Sequence, residues 1–399
     1  MATETSSTCQ EPQSTNNTTS QSQTPLATEP HPQPLPNLPH EIVVEILLRL
    51  PVKSLLRLSC VCKSWRSLIS NPKFAKTHLS LASSSTDHYT NRRLLLSNKN
   101  PSDGIKSCSL YSFLNNNKYD AAIQLDNCPL ERPYRQVKIW GACDGLVCIG
   151  TEREVCIWNP STGKCKKFPD FKTGYNGYSW FGMGYDECID DYKVVGFFFH
   201  ERTFGFEPEV KVHTLRSDSW RRIEGCTDRV PRCASGTFVK GALHWLHWPG
   251  YGGASNASIF SLDLEKETFG EVLEPEYRRR DAFHDFSLGV LNGCLSMLCN
   301  YNDAGFDVWV MKEYGIRDSW TKLVVTYPLC RPDCLYSASL CKLENGEILL
   351  DLATRLVRYD PKDGTFSYLD VFRCYPRFGV CSYTESLVSP DFDVDNGRG

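Results

Sequence analysis

Few residues in this chain are spaced for chemistry. His244-Trp245-Leu246-His247 carries the HxxH spacing of a metal-binding pair. It lies in an alternating apolar stretch, however, where residues three apart point to opposite faces of a strand, so one ion cannot easily take both rings. Cys330 and Cys334 flank a proline-containing loop and read as reduced, unpaired thiols. Asp190-Asp191 reads as a solvated hairpin turn rather than a metal site. The run Arg278-Arg279-Arg280 suits an acidic or phosphorylated target, or is a solvated charge run. No phosphate-cradling glycine loop and no strained serine elbow is written anywhere. The sequence therefore predicts neither catalysis, nor a metal site, nor a cofactor.

Composition narrows the field further. The 399 residues are 41% hydrophobic and 12% aromatic, enough for a large core, and the net charge is −3. That near-neutral balance gives no reason to expect nucleic acid or an anionic membrane as partner. No apolar run is long enough to span a bilayer, and residues 1–8 carry no basic-then-apolar signal. The nineteen cysteines are odd in number and scattered, without a CxxC pair. They read as reduced thiols of a cytoplasmic or nuclear protein, and the sequons at Asn16, Asn17 and Asn256 as chance matches.

Residues 1–36 are rich in Ser, Thr, Gln, Asn and Pro and have almost no large apolar side chain, which predicts a disordered arm. Residues 37–82 change character. Leu38-Pro39-His40-Glu41 opens a helix with Ile42, Val43, Ile46, Leu47 and Leu50 on one face, and Pro51 stops it. Short helices follow over Ser54–Ser59 and Val61–Ile69, with one further turn at Phe74 and Leu79. So small a bundle cannot satisfy all of its apolar faces internally, so a partner surface completes it. Trp65 is expected inside, as the anchor of the third helix.

From about residue 90 the pattern turns to period two, with frequent turns. Two marks recur. A glycine turn launches an apolar strand at Asp144-Gly145, Lys240-Gly241, Asn292-Gly293 and Asn345-Gly346. An aromatic follows a polar turn at Phe168, Trp220, Phe269, Trp320 and Phe366. Both keep a period of about 50 residues, that of a four-stranded propeller blade. The fold class expected is therefore α+β and multidomain: a small three-helix bundle, then an all-β propeller of about six four-stranded blades over 90–386, with a loose tail over 387–399.

The ordered run Leu38-Pro39, Ile46-Leu47, Arg49-Leu50-Pro51-Val52-Lys53-Ser54-Leu55, Val61-Cys62-Lys63-Ser64-Trp65, Leu68-Ile69, Pro72, Phe74 and His78-Leu79 resembles an F-box. The repeat resembles the F-box-associated, kelch-like region of a large plant family, although the double glycine of kelch blades is missing from it. The resemblance implies a Skp adaptor as partner, and through it a cullin and a RING subunit, with the propeller holding a protein target for ubiquitin transfer. The adaptor contacts it implies are Leu38, Pro39, Ile42, Ile46, Leu47, Leu50, Pro51, Leu55, Val61, Cys62 and Trp65. The target surface is expected on the stretches His200–Glu209, His247–Asn256, Tyr277–Phe286 and Tyr327–Tyr336, with Phe204, Phe206, Trp248 and Tyr251 as aromatic anchors beside Arg278, Arg279 and Arg280. A scaffold working outside any ligase is the alternative, and a kelch-type copper oxidase is a rival from another class.

Overall fold

The structure is a computed structural model, and it describes residues 38–84, 91–98, 104–112, 122–130, 137–151, 154–169, 179–202, 205–225, 229–231, 235–247, 258–277, 285–301, 306–325, 337–343, 345–352, 356–369 and 377–391. The expected disordered arm lies outside these residues. The chain divides into two units at Val44/Glu45.

Four helices come first: α1 His40–Leu48, α2 Val52–Leu58, α3 Lys63–Ile69 and α4 Pro72–Ser84. The Pro39 carbonyl accepts from the Ile42 and Val43 amides, so proline starts α1 where its missing N–H costs nothing. Pro51 plays the same part for α2. The expected single turn at Phe74 is a thirteen-residue helix with Phe74, Ala75, His78 and Leu79 buried along one side.

The remainder is six four-stranded antiparallel sheets. The first strands are β1 Arg92–Asn98, β2 Ile105–Ser109 and β3 Ile123–Gln124. Blades then follow as β4 Lys138–Cys143, β5 Leu146–Gly150, β6 Val155–Trp158, β7 Cys165–Lys167; and β8 Ser179–Asp186, β9 Asp191–Arg202, β10 Gly205–Thr214, β11 Ser219–Ile223. The next pair is β12 Thr237–Val239, β13 Ala242–His247, β14 Ser258–Asp263, β15 Phe269–Val272; and β16 Asp285–Leu291, β17 Cys294–Asn300, β18 Phe306–Met311, β19 Trp320–Val325. The last is β20 Ser337–Lys342, β21 Ile348–Leu352, β22 Leu356–Asp360, β23 Thr365–Leu369, and then β24 Arg377–Thr384. Strand β24 does not extend its neighbour but pairs with β1, from Arg92↔Thr384 to Asn98↔Arg377, so the sixth blade joins both ends of the repeat. The inner strands β4, β8, β12, β16, β20 and β24 touch in a closed ring. This is the six-bladed propeller that the repeat predicts.

Both sequence marks acquire a place. The glycine turns join the inner strand of a blade to the second. Asp144, Lys240 and Asn292 sit at φ of 54°, 51° and 52° with glycine next, the double left-handed turn that matches strand twist. The aromatics stand on or just after the outermost strands and pack on an adjacent blade: the Phe168 and Trp220 rings are 5.5 Å apart, and Trp320 Nε1 donates to the Leu273 carbonyl at 2.9 Å. The period-two reading fails in the middle of several blades, though not in β10, where buried Val210 and Val212 alternate with half-buried Glu209 and Lys211. Leu146–Gly150 and Val155–Trp158 are buried throughout, because second and third strands are covered by a neighbouring blade on both faces.

Two further expectations are corrected. His200–Glu209 is no long loop: β9 and β10 pair as far as Arg202↔Gly205. The tail does not come loose at 387. Leu387 and Val388 are buried, and the Asn159 side-chain amide donates to the Ser386 and Val388 carbonyls at 3.0 and 2.7 Å.

Candidate functional site

The structure sorts the F-box residues into two sets. Leu47 and Leu55 are buried, together with Leu48, Val52, Ile69 and Phe74, and they form the helical core rather than an outer face. Ile69, not Trp65, anchors the third helix, for Trp65 is only half-buried. The neighbouring positions face outward. In the first unit Leu38, Pro39 and Ile42 are exposed; in the second Ile46, Pro51, Val61 and Cys62 are exposed and Leu50 is half-buried. Val61 retains 65% of its surface. Side chains this apolar stand in water only at a cost, and covering each one gains about 1.5–3 kcal/mol.

Helix α4 does the opposite job. Leu79 is buried in one cluster with Trp140, Cys143, Leu146 and Tyr192 of the propeller. Beside it the Lys76 ammonium reaches Asp190 and donates to the Tyr185 hydroxyl at 3.2 Å. Burial works against the Lys76 charge, but the bonds to Asp190 and Tyr185 outweigh it and raise its pKa. The same Lys76 and Tyr185 bonds hold the Asp190 carboxyl below its ordinary range. The aspartate pair is therefore not the merely solvated turn expected of it: Asp190, itself exposed, pairs with Lys76 of α4, and Asp191 is buried, accepting from the Arg216 amide at 2.9 Å.

Leu79 also closes on a cavity of about 360 Å³ between the inner strands, lined among others by Trp140, Asp144, Asn292 and Tyr383. Asp144 and Asn292 belong to inner-strand turns, and Asp190 to the corresponding turn between β8 and β9. Helix α4 thus docks at the end of the propeller where inner strands turn into second strands. Antiparallel pairing puts the turns from second to third strand, and the entries into inner strands, at the other end. The stretches His200–Glu209 and His247–Asn256 hold second-to-third connections, and Tyr277–Phe286 and Tyr327–Tyr336 lead into β16 and β20. All four connections attach at the end opposite α4.

Of the proposed target anchors, Phe204, Trp248, Tyr251, Arg278, Arg279 and Arg280 lie outside the described residues, and for Phe206 only the backbone, in β10, is described. Cys330, Cys334 and the three sequons also lie outside them. His244 and His247 bond to separate groups. His244 Nδ1 lies 3.0 Å from the Thr237 carbonyl and its Nε2 2.7 Å from the Tyr314 hydroxyl, while His247 Nδ1 lies 3.1 Å from the Val230 carbonyl. Among the described residues no three His, Cys, Asp or Glu side chains converge as a metal site. The anchoring role of α4 escaped sequence reasoning. The signal available was its amphipathic side, which continues past the point where the bundle core ends.

Residues 35–77 match the F-box domain model, and residues 104–389 match that of the F-box associated beta propeller domain. The chain belongs to this F-box family. It is 34% identical over 347 residues to the F-box/kelch-repeat protein At3g23880 of Arabidopsis thaliana, covering 83% of this chain and 90% of that one. It is 30% identical over 382 residues to the F-box protein CPR1 of the same plant, covering 88% of each. By architecture this F-box protein is a substrate adaptor of plant type, from a family that is generally non-catalytic.

Proposed function

We propose that this F-box protein is the substrate receptor of an SCF-type ubiquitin ligase, its F-box seated on a Skp adaptor and its propeller holding a protein target. The observation that carries this reading is the division of labour along the chain. Ile46, Pro51 and Val61 are exposed among the described residues, α4 is fixed to one end of the propeller, and the candidate target connections attach at the other. Four or five covered side chains supply about 6–15 kcal/mol, of the same size as an association cost of about 4–15 kcal/mol. The adaptor would carry cullin and RING subunit with it, and the work would proceed in cytoplasm or nucleus, where thiols as numerous as these stay reduced.

The test is a binding measurement between the purified chain and a purified Skp adaptor. A one-to-one complex is expected, lost when exposed Pro51 and Val61 are both changed to Asp while the propeller stays folded by circular dichroism. Binding that survives that double change would overturn the assigned face. A complex in cells that contains the adaptor but never a cullin would favour the scaffold alternative, and stoichiometric copper in the purified chain the oxidase.

A further inference from the structure

Three observations on the F-box converge on its thiols. Cys60 and Cys62 are both exposed and stand two residues apart around Val61. The other described cysteines are placed differently. Burial pushes Cys108 up to about 11 and Cys341 up to about 12, and the exposed Cys188 is pushed up by its hydrogen bond to Glu265. Cys62 moves the other way: the Ser64 hydroxyl, 3.1 Å from its sulfur, and the Trp65 amide favour its thiolate. Thiolate and access together set the rate of disulfide exchange. The third observation is charge. From Val52 to Ser84 the chain has Lys53, Arg57, Lys63, Arg66, Lys73 and Lys76 and not one Asp or Glu. Arg57, Lys63 and Arg66 flank the two thiols and are exposed, a setting that attracts a reagent bearing carboxylates.

We propose that Cys60 and Cys62 are a thiol–disulfide modification site for an anionic low-molecular-weight disulfide of the glutathione class, and that the adduct blocks docking of the adaptor. The inference rests on the receptor reading above, because Val61 and Cys62 belong to the face assigned to the adaptor. The step is an exchange. The thiolate attacks one sulfur of the small disulfide, a new protein–glutathione S–S bond forms, and the old S–S bond breaks. The second glutathione leaves as a thiolate and takes up the proton that the cysteine released. A charged tripeptide then stands where apolar contact is needed. The linkage runs both ways, so a bound adaptor shields the pair.

The experiment uses the full chain and oxidised glutathione. Both cysteines fall in one tryptic peptide, Leu58–Lys63. That peptide is expected to gain glutathione before peptides holding buried cysteines, more slowly when adaptor is bound, and the modified chain to bind adaptor about tenfold or more weakly. Dithiothreitol should restore binding. In the double variant Cys60→Ser/Cys62→Ser the affinity ratio with and without oxidised glutathione should become one, whatever its own affinity. An adduct confined to other peptides, or an adduct here with unchanged adaptor affinity, overturns the switch alone. A reduced chain that fails to bind adaptor at all overturns the receptor reading and the switch with it.

Discussion

The side-chain amide of Asn159 donates to the Val388 carbonyl at 2.7 Å, joining the end of β6 to a residue 229 positions further along. The same amide reaches the Ser386 carbonyl at 3.0 Å, and the side-chain oxygen accepts from the Ser161 and Thr162 amides at 2.8 and 3.2 Å. One side chain therefore builds the turn after the third strand and also pins the chain beyond β24. Asp263 and Asp360 build the equivalent turns, accepting from Lys266 and Lys362, each at 2.9 Å.

Asn159→Ala leaves two buried carbonyls without these donors and two turn amides without their acceptor, a loss of about 2–4 kcal/mol at roughly 1–2 kcal/mol per stranded buried group. Asn159→Asp keeps the acceptor, as Asp263 and Asp360 show, but sets a carboxylate against two carbonyl oxygens. Both variants should lower the melting temperature, and hydrogen exchange should quicken in β24 and β1 ahead of the other blades. Equal loss of protection in all six blades would contradict a closure role.

The turns also explain how far the sequence could be read. Four of the six blades carry the glycine turn, and the two exceptions have physical causes. Between β8 and β9 the left-handed position is filled by Asp190 at φ 54°. In the closing blade, inner and second strands are β24 and β1, at opposite ends of the repeat, so no turn exists to be written. The blade period was legible because its two marks sit at a fixed place in each blade. Ring closure was not, since pairing across the chain leaves no local pattern. The F-box was legible as a motif, but its division into core and face was not. Leu47, buried, stands beside Ile46, exposed, in a helix apolar on more than one side, and only the folded structure decides between them.

That division predicts two different phenotypes within seven residues. Leu55→Ala removes a wholly buried side chain and should cost about 2–5 kcal/mol of stability, weakening adaptor binding only through loss of the fold. Val61→Asp changes a 65% exposed position and should leave thermal stability within about 0.5 kcal/mol. Adaptor affinity should nevertheless fall at least tenfold. Thermal unfolding and calorimetric titration of the two variants separate the effects. The reverse pattern would mean that core and face have been exchanged.

At the α4 junction two kinds of contact compete for importance. The Lys76–Asp190 pair is partly exposed on both sides, so its removal by Lys76→Met should cost less than about 1 kcal/mol. Leu79 is buried in the propeller cluster, and Leu79→Ala should cost about 2–5 kcal/mol. Hydrogen exchange across α4 is the readout: protection should drop sharply for Leu79→Ala and little for Lys76→Met. Added salt should weaken the wild type only slightly, because the apolar contact dominates.

Buried histidines set the acid limit of the propeller. The Thr237 carbonyl can only accept, so His244 Nδ1 carries the ring proton and Nε2 accepts from the Tyr314 hydroxyl. Burial lowers the His244 pKa to about 4, and burial likewise lowers that of His213 to about 4. The unfolded chain, with histidine near its ordinary 6.5, then binds more protons than the folded chain between pH 6.5 and 4. Stability is therefore full above pH 6.5 and falls as pH drops through that window. For His244 alone the loss amounts to about 2 kcal/mol at pH 5. In a histidine NMR titration the His244 ring should stay neutral at pH 5.5, with its proton on Nδ1. Denaturant midpoints should fall from pH 7.5 to pH 5, and less steeply in His244→Gln. A His244 ring that titrates near 6.5 in the folded protein would contradict the buried, neutral assignment and leave the acid sensitivity to other groups.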